Sequence, residues 1–249
     1  METKALWAQL ERVLDPELDE SIVRLGFVQR VEQEGQRVRV VLRLPTYWCS
    51  PNFAYLMADG VRRALLERSE ISQVEIVLED HFASDVLSRG VSAGRSFCEL
   101  FPDEATEDLE ELRQRFLIKG YLSRLLVLVQ ALRNAGAPES VLTRATLAAL
   151  VTSGEDVWLC DEDNQYGPIR ARLVDRYLAR RAELGLPVDA DAPLLLRPDG
   201  RAIGDGELSD ELRRLRATVV NLRASTALCE ALLESRQQWW VRERKEAVP

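Results

Sequence analysis

Between residues 38 and 65 the hydrophobic pattern changes period once, and that change fixes the local chain path more tightly than any other feature. Val38, Val40, Leu42 and Leu44 alternate with Arg39, Val41 and Arg43. A repeat of about 2 residues is that of a strand, here with one face buried and the other mostly solvated. From Phe53 onward, Leu56, Met57, Gly60, Val61, Ala64 and Leu65 recur at helical spacing. Pro45-Thr46-Tyr47-Trp48-Cys49-Ser50-Pro51-Asn52 lies between them, so it is a strand-to-helix loop carrying one thiol. Ser50 suits the residue before a helix and Pro51 its first position. A loop of this kind can present a side chain while rigid elements hold it.

A thiol at a helix N-terminus meets the positive end of the helix dipole and backbone N–H groups that favour the thiolate. Thiolate binds soft metals or attacks electrophiles. The same cysteine also suits a small buried apolar position, and position alone leaves both readings open.

The flanking sequence predicts an α+β chain. Leu6, Trp7, Leu10 and Val13 mark a short amphipathic helix, which Asp15-Pro16-Glu17 ends because the residue before proline avoids helix. Phe27 to Glu32 and Arg37 to Leu44 read as two strands around a Gln33-Glu34-Gly35-Gln36 loop, and Val74, Ile76 and Leu78 mark a third. Residues 1–82 are thus expected to form a helix–strand–strand–helix–strand domain. Gly90, Ser92, Gly94 and Ser96 suggest a connection over 83–103.

Residues 104–249 read as mainly helical with short hairpins. Helices are expected over Glu104–Asn134, Val141–Val151, Ile169–Leu184 and 208–240. Short strands are expected at Val157–Cys160 and Pro168–Arg170, and a hairpin at Leu194–Gly200.

The chemical inventory is thin. With 33 basic and 41 acidic residues the net charge is -8, which argues against a nucleic-acid partner. Cys49, Cys98, Cys160 and Cys229 are widely spaced and form no Cys-x-x-Cys pair. His81 is the sole histidine, so most histidine-based metal sites are excluded. It ends the third strand and is a candidate to line a site near Cys49. No glycine-rich phosphate loop is written. The first residues lack a signal-peptide core, and no stretch reaches the roughly 20 apolar residues of a membrane span. A reducing cytoplasmic setting, with no membrane partner, is the expectation.

Asp15-Pro16-Glu17, Ile22-Val23-Arg24-Leu25-Gly26-Phe27-Val28, a hairpin, and Pro45-Thr46-Tyr47 with Cys49 and Pro51 occur in that order. The set resembles the metal–sulfur (iron–sulfur) cluster assembly factor family, which includes SufT-like and PaaD-like domains, over roughly residues 5–80. The resemblance implies a small α/β domain that helps insert iron–sulfur or related centres into clients, with the loop cysteine, Cys49, as its key residue. Arg24 departs from the usual aspartate before Leu-Gly, and Ser50-Pro51 follows Cys49 where Cys-Pro is usual.

Asp15 and Glu17 are candidate oxygen ligands or a polar helix stop. Cys98 and His81 are weaker candidates for the same site. One thiol does not hold a four-ligand metal, so carboxylates, a second subunit in a homodimer, or the client would complete it. The expected cargo is a transient iron–sulfur cluster or iron.

The reading is a non-enzymatic maturation factor acting with a client metalloenzyme and other assembly proteins. Long members with a helical extension resemble accessory proteins of bacterial multicomponent di-iron monooxygenases. The alternative is a metal-free chaperone or adaptor that binds its client through the helical region. A thiol-dependent enzyme has the least support, because only His81 is available as a base. Residues 177–200 faintly resemble phage integrases, without their catalytic Arg, His and Tyr set. Cys160 and Cys229 are expected in cores, and Trp239-Trp240 in helix packing.

Overall fold

The computed structural model describes residues 2–102, 109–162, 164–216, 231–232 and 234–235. Two compact units emerge, Met1–Arg113 with Leu222–Pro249, and Gln114–Asn221. The first unit therefore runs well past residue 82. Cys229 and Trp239-Trp240 lie outside the described residues, as does most of the expected final helix, which is seen at 208–216.

In the first unit the order is α1 (Glu2–Leu10), β1 (Val28–Glu34), β2 (Arg37–Arg43), α2 (Pro51–Leu66), β3 (Gln73–Glu79), α3 (Ser84–Ser92) and α4 (Phe97–Leu100). The strands lie in the order β1-β2-β3. β1 is antiparallel to β2, while β3 runs parallel to it, so Val40 stands between Val31 and Ile76. A parallel pair needs a crossover, and α2 supplies it.

Glu34 opposes Arg37, which leaves a two-residue turn at Gly35-Gln36, tighter than the four-residue loop expected. Gly35 takes a φ of +59°, a conformation glycine adopts without steric cost. Val38, Val40, Leu42 and Leu44 pack in one core with Leu6 and Leu10 of α1, Met57, Val61 and Leu65 of α2, and Val74, Ile76 and Leu78 of β3. Each such burial is worth about 1.5–3 kcal/mol relative to exposure. Val41, expected on the solvated face, is buried, so the opposite face is also shielded at mid-strand.

The stretch expected to be a connection is structured, and its small residues have specific roles. On α3, Ser88 Oγ accepts from the Leu78 N–H at 2.9 Å and Ser92 Oγ from the Ile76 N–H at 2.8 Å. Two serines one helical turn apart thus match two alternate N–H groups of β3. A Cβ on Gly90 would stand 2.3 Å from Leu100 Cδ2. Gly94, at φ +72°, follows the end of α3, the position where helices favour glycine. Ser96 and Glu99 form a reciprocal capping box on α4. Ser92→Ala is expected to leave the Ile76 N–H buried without a partner and cost about 1–2 kcal/mol. Hydrogen exchange at Ile76 checks this: unchanged protection would remove the bond from the account.

The second unit takes up α5 (Leu109–Asn134) from Gln114. It continues through α6 (Glu139–Arg144), a 3-10 turn at Leu147–Ala149, β4 (Leu150–Ser153), β5 (Asp156–Asp161), β6 (Asn164–Arg170) and α7 (Ala171–Glu183). β4, β5 and β6 form an antiparallel meander. The helix expected over Val141–Val151 therefore stops at Arg144, and its last residues become β4. The Leu194–Gly200 hairpin is reduced to one bridge, Leu196 to Ala202. Tyr121 and Tyr177 stack at 5.5 Å inside this unit. Tyr121 donates to the Leu196 carbonyl at 2.7 Å and Tyr177 to the Leu194 carbonyl at 2.8 Å. Arg181 is fully buried beside them (0% exposed) and donates to the carbonyls of Pro187, Pro193 and Leu194.

Candidate functional site

The loop between β2 and α2 is built as its sequence suggests. Ser50 precedes α2 and Pro51 opens it, but the Ser50 side chain makes no capping bond. Its carbonyl instead accepts from the N–H groups of Phe53 and Ala54 at 3.0 and 3.1 Å. Cys49 is half-buried, its thiol outside any disulfide, and it packs against the core of the first unit.

His81, just after β3, is almost fully buried (3% exposed) and meets this loop. Its Nε2 lies 2.7 Å from the Cys49 carbonyl, and its Nδ1 lies 3.1 Å from the Ala83 N–H. A carbonyl only accepts and an amide N–H only donates, so the ring is neutral with its proton on Nε2. Both nitrogens are committed, which leaves no lone pair for a metal and no acceptor for a thiol proton in this arrangement. Phe82 adds a second tie, donating its N–H to the Tyr47 carbonyl at 3.2 Å.

Aromatic rings stand exposed around this junction. Trp48 is 78% exposed, with Tyr47 and Phe82 also exposed. Tyr47 meets Trp48 edge-on at 4.8 Å, and Phe82 stacks on His81 at 4.8 Å. Contiguous exposed apolar groups on a soluble domain mark contact surfaces more often than chance. Nothing in the sequence spacing joins Phe82 to Tyr47; only the parallel placement of β2 and β3 brings their ends together.

Asp15 is buried (7% exposed), and its Oδ1 accepts from the N–H groups of Glu17 and Leu18 at 2.9 and 2.8 Å. The carboxylate therefore organises its own turn. Burial pushes its carboxyl up to about 6, against the opposing pull of those two N–H groups. Glu17 is half-buried in the same turn. Arg24 lies on the surface beside Glu20, at 3.8 Å. Cys98 is exposed on α4, where its neighbour Phe97 packs edge-on against Tyr55. Cys160 is half-buried on β5 of the second unit.

Among the described residues, no group of three His, Cys, Asp or Glu side chains is placed to hold a metal ion. Of the five sequence-predicted candidates, hydrogen bonds join His81 to the Cys49 carbonyl and Asp15 to the Glu17 N–H. A resident metal centre built from the described residues alone does not fit this donor set.

The fold and the loop thiol together define a class: a small α/β domain that presents one cysteine between a central strand and the helix that follows it. Residues 3–77, within the first unit, match the family model of iron-sulfur cluster assembly proteins. No curated protein matches the chain. Among the described residues, no helix is long and apolar enough to cross a membrane.

Proposed function

We propose that this protein is a maturation factor that holds iron or an iron–sulfur cluster in transit through Cys49 and gives it up to a client metalloenzyme. The observation that carries the reading is the family match over residues 3–77, which includes the loop that holds a half-buried thiol at the start of α2. Cluster or iron is cargo here. A single thiolate with no cage around it binds weakly enough to release what it takes, and thiolate is the ligand that iron–sulfur centres require. Asp15, Glu17 and Cys98 are supporting oxygen and sulfur donors in this reading, reached through a client or a second copy of the chain. The exposed rings of Tyr47, Trp48 and Phe82 supply the surface against which the client docks. The second unit serves client recognition, with an oxygenase as one candidate client, and the setting is the cytoplasm.

Anaerobic reconstitution with ferrous iron and sulfide tests the thiol. Wild-type protein is expected to retain iron and sulfide after desalting, and Cys49→Ser to lose at least nine-tenths of both. Equal retention would sink the assignment.

A metal-free adaptor is the second reading, favoured by one observation: Asp15 spends one carboxylate oxygen on the N–H groups of its own turn. If Cys49→Ser supports client assembly fully while removal of residues after 103 abolishes it, this second reading stands instead.

A further inference from the structure

The sole histidine has a role that neither metal binding nor proton transfer describes. His81 sits 32 residues from Cys49 in sequence, and its ring spans the gap between the end of β3 and the cysteine loop. Four observations converge on it. The ring is almost completely buried, although histidine at a strand end is usually at least partly solvated. Its Nδ1 is held by the Ala83 N–H, which leaves Nε2–H as the donor. That donor meets the Cys49 carbonyl at 2.7 Å, a short bond for N–H to O. Finally, the ring plane is backed by Phe82 at 4.8 Å and 28°, while the Phe82 N–H grips the Tyr47 carbonyl two residues before the thiol. The cysteine loop is thus tied at Tyr47 and at Cys49 by two consecutive residues of a segment outside the matched residues 3–77.

We propose that His81 is a positioning residue for the Cys49 thiol: it fixes the peptide plane of Cys49 and so holds the sulfur half-buried at the start of α2. A side chain takes its direction from its own Cα, and the Cα of Cys49 is bonded to the carbonyl carbon that His81 anchors. Besides this anchor the loop holds a 3.4 Å turn bond from Cys49 N–H to the Thr46 carbonyl and the tie at Tyr47, and removing the anchor loosens the Cys49 peptide. The sulfur then swings away from the core and loses the fixed approach that cargo needs. This inference rests on the cargo reading for its purpose, but its geometry is independent of it.

Two substitutions separate the bonds. His81→Asn retains an acceptor for the Ala83 N–H but is too short to reach Cys49. His81→Gln carries an amide donor close to the place of Nε2. The full chain is treated with iodoacetamide at pH 7.5 without metal, and alkylation of Cys49 is followed peptide by peptide. A parallel sample is reconstituted anaerobically with ferrous iron and sulfide.

His81→Asn is expected to alkylate at Cys49 at least threefold faster than wild type and to retain less than a third of its iron, with Cys98 unchanged as the internal reference. His81→Gln is expected to return both readouts to within twofold of wild type. Rescue by glutamine is what a merely space-filling histidine would not show. If folded His81→Asn behaves as wild type, or folded His81→Gln behaves as His81→Asn, the proposal is overturned. If His81→Asn fails to fold, His81→Gln decides alone: a wild-type alkylation rate supports the proposal and an altered one overturns it. Should wild type retain no iron while the alkylation rates still follow this order, the cargo reading fails and the positioning role stands.

Discussion

Asp15→Asn is expected to make the first unit more stable at pH 7.5, by up to about 3 kcal/mol, and to flatten its stability profile between pH 4 and 6. The folded carboxyl titrates at about 6 against an ordinary 3.8, chiefly because it is buried. A folded value above the unfolded one means that the folded state binds the proton more tightly. The stability linked to that proton is full below pH 3.8 and is lost as pH rises through about 6. At about 1.36 kcal/mol per unit, a shift near two units gives roughly the figure above. Asparagine keeps an oxygen acceptor for the Glu17 and Leu18 N–H groups, though a neutral acceptor gives back part of the gain. Urea unfolding at pH 4, 6 and 7.5 checks it. A variant that is less stable than wild type at pH 7.5 would show that the two charged bonds outweigh desolvation. If asparagine is the better residue for the turn, the turn alone does not account for an acid at position 15, and a use of that charge at the cysteine loop gains weight.

Arg181→Ala is expected to cost the second unit about 3–5 kcal/mol, because it strands buried carbonyl acceptors at about 1–3 kcal/mol each. The guanidinium is fully buried and reaches the carbonyls of Pro187, Pro193 and Leu194, with its Nη1 also 3.3 Å from the Tyr177 hydroxyl. Its Nη2 has no hydrogen-bond partner among the described residues. Those carbonyls belong to the backbone, so no compensating substitution can remove them. Among the described residues, only the Leu194 carbonyl keeps another side-chain donor, the Tyr177 hydroxyl. Lysine cannot span the same acceptors, because its three donors radiate from one atom whereas the guanidinium fork spreads them. Arg181→Lys is therefore expected to recover less than half of the loss. Hydrogen exchange in α7 and residues 184–203 is the measurement; a drop in protection below about 1 kcal/mol would show that water replaces the side chain without penalty.

Much of the first unit was legible because its periods are clean. The alternation over Val38–Leu44 gave β2, the helical spacing after Phe53 gave α2, and Pro16 and Pro51 marked an end and a beginning. Val41 escaped because alternation shows which face a residue takes and says nothing of what covers that face. The segment after His81 was misread for a chemical reason: serine and glycine are loop formers, yet here they are selected by contact. Ser88 and Ser92 serve β3, and Gly90 clears Leu100. In the second unit β4 is only four residues long, too short for alternation to compete with the helical spacing of its neighbours.

At the site, Cys49 was visible from its loop and motif. His81 was placed near the same site from its strand end, but the bond from its ring to the Cys49 carbonyl was not legible, since nothing local records a bond across 32 residues. The same holds for Asp15: proline explained the turn at sequence level, and the two N–H groups held by the carboxylate emerged only in three dimensions.

The two serines of α3 have a wider consequence for how the domain can associate. β3 is the outermost strand on its side of the sheet, the place where a foreign strand would dock by continuing the ladder. With the Ile76 and Leu78 N–H groups already answered by hydroxyls, two rungs of that ladder are taken. A strand added on this side would have to displace both hydroxyls, so side chains and loops are the easier route for a partner there.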